Sequence, residues 1–260
     1  MNRLFLFLCL VASRFLFAHD LWIEPSSFRP AVGDRVSAAL RVGQHLQGDP
    51  MPRIPSLVER FVLVSANGES ELLGRAGADP AGLVLVNAPG PQWLGYQSHA
   101  YPVTLEAKKF EDYLKEEGLE RIVAARAKKG QSSAVGKERF YRCAKALLNV
   151  AGGKGSADTP LRFTLELVPR GNPYALKVGE KLPVTLLYRG KPLANALVVA
   201  MNKTEPLKTV RVRTDAKGHA TLPLARKGFW LIKAVHMEAA PAGAGVDWES
   251  WWASMTFDLQ

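Results

Sequence analysis

The sequence predicts a mainly β protein: two β-sandwich domains, the second immunoglobulin-like or carboxypeptidase-regulatory-like, with a short helical insertion between them. Three observations predict it. Apolar residues recur at every second position through much of Leu21–Leu40, broken by Pro25, Pro30 and Gly33-Asp34, the pattern of half-buried strands separated by turns. After Leu105 the apolar spacing becomes helical. From Leu161 onward about seven short apolar runs return at the spacing of a sandwich. Hydrophobic residues make up 47% of the 260-residue chain, enough to fill a core.

Residues 1–18 carry Arg3 and Arg14, no acid, and an apolar run from Leu4 to Ala12. That run is shorter than the ~20 residues a membrane span needs. A basic start, an apolar middle and Ala18 before the cut read as a cleaved secretory signal, with cleavage after Ala12 or Ser13 as the rival site. Residues 19–106 form the N-terminal sandwich. Within it, Phe61–Val64 and Leu83–Val86 are short strands, and Asn67-Gly68 reads as a hairpin turn.

Residues 107–150 are the helical insertion. Phe110, Tyr113 and Leu114 share a helix face, with Gly118 as the stop. Leu119, Ile122 and Val123 begin a second helix that ends at Gly130. A third helix is expected over Glu138–Val150, with Phe140, Ala144, Leu147 and Leu148 on its apolar face and Glu138 pairing with Arg142. Arg142, Lys145 and Asn149 then line the polar face. The reading of that face is a solvated surface, and its functional alternative is an anion or carboxylate site. Residues 151–160 are small and polar, a linker. Residues 161–260 form the second sandwich, with strands at Phe163–Val168, Leu182–Tyr188, Ala196–Met201, Thr209–Thr214, Ala220–Leu224, Phe229–Val235 and Met255–Leu259. It lacks the Cys-Trp-Cys spacing of antibody domains.

The net charge is +10. Residues 107–150 hold 11 basic and 6 acidic side chains, so the excess there sits on what reads as solvated helix surface. No nucleic-acid recognition motif appears, and secretion removes that partner. Cys9 leaves with the signal, so Cys143 stands alone and no disulfide framework exists. No later segment has the length of a membrane span, so stable membrane insertion is not expected of the mature chain.

Cleavage after Ala18 makes His19 the first mature residue. Its α-amine titrates near ~8 and its imidazole near ~6.5, so a metal displaces protons from both at neutral pH. Two nitrogens plus a further histidine suit nickel, cobalt, copper or zinc rather than magnesium or calcium. His236 ends an apolar strand and is the expected partner, if the N-terminus packs against that strand. His99 is a further candidate, in a loop, and Glu249 is expected to complete or orient the set, with Asp20 or Asp247 in a similar role. His45 and His219 lie in turns. No compact His-x-x-His motif, Gly-x-Ser-x-Gly elbow, phosphate loop or dinucleotide fingerprint occurs. Trp248, Trp251 and Trp252 read as core or domain-interface residues, with a carbohydrate platform as the alternative.

Three blocks carry a family resemblance: His19-Asp20-Leu21-Trp22-Ile23-Glu24-Pro25; Phe110–Leu119 followed by Glu138–Leu147; and Trp230–Met237 with Asp247–Ser254. Together they resemble the bacterial "domain of unknown function 4198" family, across essentially the whole mature chain. The resemblance implies a periplasmic protein, and some members are associated with nickel or cobalt uptake systems. The expected function is therefore periplasmic binding of a divalent transition metal (nickel, cobalt or copper) and its delivery to a metal-uptake transporter in the inner membrane. Two alternatives stand beside it: a non-metal module binding carbohydrate or a protein partner, and a copper-dependent oxidase or monooxygenase built on the N-terminal histidine.

Overall fold

The computed structural model describes residues 19–260. Strands β1 (Asp20–Pro25), β2 (Arg35–Gln44), β3 (Gln47–Met51), β4 (Val58–Ser65), β5 (Gly68–Glu71), β6 (Gly82–Leu85), β7 (Gly90–Ser98) and β8 (Tyr101–Leu105) precede two helices, α1 (Ala107–Glu116) and α2 (Glu120–Lys128). There follow β9 (Gly136–Val150), β10 (Leu165–Pro169), β11 (Lys181–Tyr188), β12 (Lys191–Pro192), β13 (Leu197–Asn202), β14 (Val210–Arg213), β15 (His219–Pro223), β16 (Gly228–Ala239) and β17 (Trp248–Leu259). The mainly β expectation holds. Every strand expected after Leu161 is present, as are the first two helices. Among the described residues no helix is long and apolar enough to cross a membrane.

A nine-stranded sheet organises the molecule, in the order β14-β13-β16-β17-β9-β7-β4-β5, with β8 also on β9. The two halves of the chain meet within it. β9 and β17 pair in parallel, from Trp248 opposite Glu138 to Thr256 opposite Ala146. Strands of the first half lie on one side of that seam and strands of the second half on the other. A small sheet of β1, β2, β3 and β6 covers one face over the first-half strands, burying Ile23, Leu40, Phe61, Tyr96, Ala146 and Leu148 between the layers. A second small sheet of β10, β11, β12 and β15 covers the opposite face over the second half, around Leu147, Leu186, Ile232, Met255 and Phe257. The two sandwiches thus share their middle layer. Residues 151–160 run across the edge of the seam, and the Ala157 carbonyl accepts from Trp93 Nε1 (3.2 Å).

The helices pack beside the first small sheet. Phe110, Tyr113, Leu114 and Ile122 lie over Val235, Trp248 and Trp252. Gly136 at the start of β9 lets the Phe110 ring lie directly on the backbone: a Cβ there would fall inside the ring's van der Waals envelope.

The third helix expected over Glu138–Val150 is instead β9, a correction with a clear physical cause. Residues 142–150 are buried without interruption. A strand covered on both faces loses the alternation that identifies strands, and its apolar positions then fit a helical period by chance. Alanine, leucine, lysine and arginine all favour helix locally, but β9 gains ladders with β7, β8 and β17. Its polar face is not solvated: Arg142, Lys145 and Asn149 are all buried, and the first two point to opposite sides of the sheet. The turn at Asn67-Gly68 is a hairpin, but its second strand is β5, not Leu83–Val86.

Candidate functional site

The polar chemistry of the molecule gathers where β1 and the helices lie over β16, β17 and β9. β1 runs antiparallel to β2 with Asp20 opposite Gly43. That register sets half-buried His19 beside Gln44, at the end where β2 turns into β3. Only His45 and Leu46 separate these strands, and Gln44 still pairs with Gln47. Such a two-residue turn needs left-handed backbone at both positions, normally supplied by asparagine and glycine. Here His45 (φ 52°) and Leu46 (φ 58°) adopt it. Leu46 is held there by burial against Trp22, Val199 and Met201. His45 Nδ1 is buried and has no hydrogen-bond partner among the described residues.

His45 shares a groove with Asp20, Glu116, Glu117 and Lys233. Burial and the Arg142 guanidinium lower the His19 pKa, against the opposing carboxylates of Asp20, Asp49 and Glu116. His19 and His45 therefore share the Glu116 carboxylate as a neighbour. Beneath them Lys233 Nζ bridges Asp20 (2.8 Å) and Glu117 (2.7 Å), all three nearly sealed from solvent. Burial pushes the Glu117 carboxyl up to about 7, against the attraction of Lys233. Farther along the same face, burial raises Glu138 to about 7 although Ser250 and Tyr113 donate to it.

His236 lies elsewhere. It stands opposite Trp251 in the β16–β17 pair, and its ring packs on Tyr188 at 4.3 Å. Those are residues of the opposite face of the central sheet, since Lys233, three positions earlier, points to β1. The expected meeting of His19 with His236 does not occur. Burial, Arg121 and Arg189 lower the His236 pKa to about 4, and Arg121 Nη2 sits 3.4 Å from its Nδ1. Glu249 is engaged by Arg139 and by the Tyr141 hydroxyl (3.4 Å) rather than by a histidine. His99 is exposed at the end of β7, where its amide donates to Leu57. His219 starts β15, 3.7 Å from Asp215. Among the described residues no three His, Cys, Asp or Glu side chains form a group able to hold a metal unaided.

Trp248, Trp251 and Trp252 are each at most 6% exposed, so they are core residues and offer no open stacking platform. Cys143 is buried in the second sandwich, which pushes its thiol up to about 12 and keeps it from acting as a nucleophile. Sequence reasoning gave His45 little weight because a lone turn histidine is usually bland. A two-residue connection with neither glycine nor asparagine was the signal available.

No curated protein matches the chain. Among solved structures, the D0-D1 domain of intimin aligns over 92% of this chain and 97% of its own, with 12% identity and a TM-score of 0.21. A mutant Salmonella alpha-2-macroglobulin aligns over 92% of this chain but only 15% of its own, with 11% identity and a TM-score of 0.19. Neither likeness bears on activity. A family model matches residues 16–238, a span that includes His19 and His236, and on that match the chain belongs to the family described as Domain of unknown function (DUF4198).

Proposed function

We propose that this protein is a periplasmic carrier of a divalent transition metal (nickel, cobalt or copper), which binds at the mature N-terminus and is passed to a metal-uptake transporter of the inner membrane. The donors in this reading are the α-amine and imidazole of His19, freed by cleavage after Ala18, and the imidazole of His45. The observation that carries it is His45 Nδ1: a buried nitrogen without a partner, on a strained turn, at the end of β2 that lies beside His19. Strained backbone persists where something else fixes it, and it concentrates at ligand sites. Three nitrogens suit the softer end of the divalent series. Burial and Arg142 lower the His19 pKa, which leaves its imidazole unprotonated and able to donate its lone pair, while the carboxylates of Asp20, Asp49 and Glu116 partly offset Arg142. His236 has no part in this reading, because two guanidiniums already press on it.

The test is to export the chain from a bacterial host, determine its N-terminus, and measure its melting point with Ni, Co and Cu. A ligand that binds only the native state must raise the melting point. A chain starting at His19 is expected to be stabilised. His19→Ala and His45→Ala should each abolish the shift, while His236→Gln keeps it. A chain starting at His19 that ignores all three metals, or a His45→Ala variant with the full shift, overturns the proposal.

A further inference from the structure

A second cavity opens on the same face of the central sheet, between β2, β3, β7 and β9. Its cavity volume is about 90 Å³, open to solvent at one side, and its walls are mostly apolar: Val42, Met51, Ile54, Leu57 and Phe140. His99 and Tyr101 stand at the exposed rim. Three polar groups line it from below: Arg142, Tyr96, and Ser98, whose Oγ accepts from the Arg142 amide (2.9 Å).

The first two are anomalous for an apolar interior. Arg142 is 6% exposed; Asp20 and Glu138 lie near enough for their charge to favour it, yet among the described residues neither comes within ion-pair distance of its guanidinium. Its Nη1 donates to the His19 carbonyl (2.5 Å), and its guanidinium stacks on Phe140 at 4.9 Å. One carbonyl acceptor leaves most of its five donors without a charged partner. A buried charge normally finds a counter-ion, because removing it from water costs several kcal/mol (on the order of) per ion. Tyr96 is fully buried, with its hydroxyl unpartnered among the described residues. Arg142 and Tyr96 feel one another's charge, so they lie in one neighbourhood.

We infer that this pocket binds a small organic monocarboxylate with an apolar body, its carboxylate received by the Arg142 guanidinium and the Tyr96 hydroxyl. The guanidinium fork matches a planar carboxylate with two parallel N–H donors. A single positive charge in apolar walls is neutralised by a monoanion, whereas a phosphate dianion leaves an uncompensated charge. The apolar walls require that the rest of the ligand be hydrocarbon. Its donors are different side chains from those of the proposed metal site, although Arg142 also holds the His19 carbonyl, so Tyr96→Phe is the variant that leaves the metal donors untouched.

The probes are benzoate and hexanoate, with benzyl alcohol as the neutral control, titrated into metal-stripped full-length mature protein by calorimetry and ligand-observed NMR. Benzoate or hexanoate is expected to bind with one-to-one stoichiometry, and benzyl alcohol at least about tenfold more weakly. Tyr96→Phe, which keeps the ring and its packing on Phe61, is expected to weaken binding about tenfold with an unchanged melting point. Arg142→Lys keeps the charge but loses the fork, and should weaken it at least as much. Equal binding of the acid and the alcohol overturns the inference. So does a folded wild-type protein that binds neither acid at millimolar concentration, which would leave water as the occupant, and so do variants that bind like wild type.

Discussion

β9 buries two cations three residues apart, on opposite faces of one sheet. Lys145 points into the second sandwich, where its Nζ meets Glu166 at 2.9 Å and lies over the Trp93 ring at 4.3 Å. Glu166 also accepts from the amides of Leu161 (2.7 Å) and Phe163 (3.3 Å), so both of its oxygens are engaged and the charge of Lys145 is neutralised in contact. Arg142 points to the β1 side, where it finds a carbonyl but no carboxylate within ion-pair distance. Burial lowers the Arg142 pKa to about 10. A buried pair neutralised in contact has no charge left for a ligand; it fixes the layer it sits in. A buried cation without a counter-ion is tolerated only where something else uses it. The contrast separates a structural face, built from Leu147, Ile232, Met255 and their neighbours, from a face where charges are held in wait.

The largest expected effect breaks this contrast directly. Lys145→Met leaves Glu166 ionised and buried, and is expected to cost about 3–5 kcal/mol in urea unfolding. Adding Glu166→Gln should recover part of that, since it removes the stranded charge while the glutamine oxygen still accepts from one of the two amides. Arg142→Met strands no carboxylate and should cost less than half as much. An equal loss at both positions would place Arg142 among the structural groups. A smaller effect is expected at the β2–β3 turn. His45→Gly removes the side chain but suits the left-handed backbone, so stability should change by less than about 1 kcal/mol. A loss above about 2 kcal/mol would mean the imidazole holds the turn rather than serving a ligand.

The smallest effect concerns pH. The folded-state pKa of His236 is lowered to about 4 by burial and two arginines, below its ordinary value near ~6.5. The unfolded chain therefore takes up this proton first, and stability is lost as pH falls from about 6.5 to about 4. Glu117 and Glu138, raised to about 7, act in the opposite sense over an overlapping range, since their folded forms hold protons that the unfolded chain releases. The difference between wild type and His236→Gln isolates the histidine: with the neutral-pH offset removed, the two stability curves should separate as pH falls from about 6.5 to about 4, the variant falling less, and run parallel below that. Curves parallel throughout would show that His236 titrates normally.

Much of the fold was legible. After Leu161, β11 and β15 alternate because each keeps one half-solvated face, whereas β10, β13, β16 and β17 are buried on both faces and were legible as apolar runs set off by turns such as Gly190-Lys191-Pro192. The helices over Phe110–Leu114 and Leu119–Ile122 were legible too, with one apolar face and glycines beyond. β9 was not, because burial on both faces erased its period. The site was legible only at His19, whose interest comes from chain chemistry rather than from spacing. The link to His45 depends on strand register, and the exclusion of His236 depends on which face of a strand is turned toward which layer. Neither is encoded in local sequence. The Arg142–Tyr96 pocket was hidden by the same misreading of β9, which placed the guanidinium on a wet helix face.

The parallel seam between β9 and β17 has a kinetic consequence. β9 is 15 residues long and waits, with one edge open, for a strand that lies about a hundred residues farther along the chain. Until Trp248–Thr256 arrives, the first half of the chain presents a long apolar edge of unpaired amides and carbonyls, the form of surface that recruits other strands. Such pairing across more than a hundred residues closes slowly. Loss of Trp248–Leu259 should therefore yield an aggregating protein rather than a shortened one.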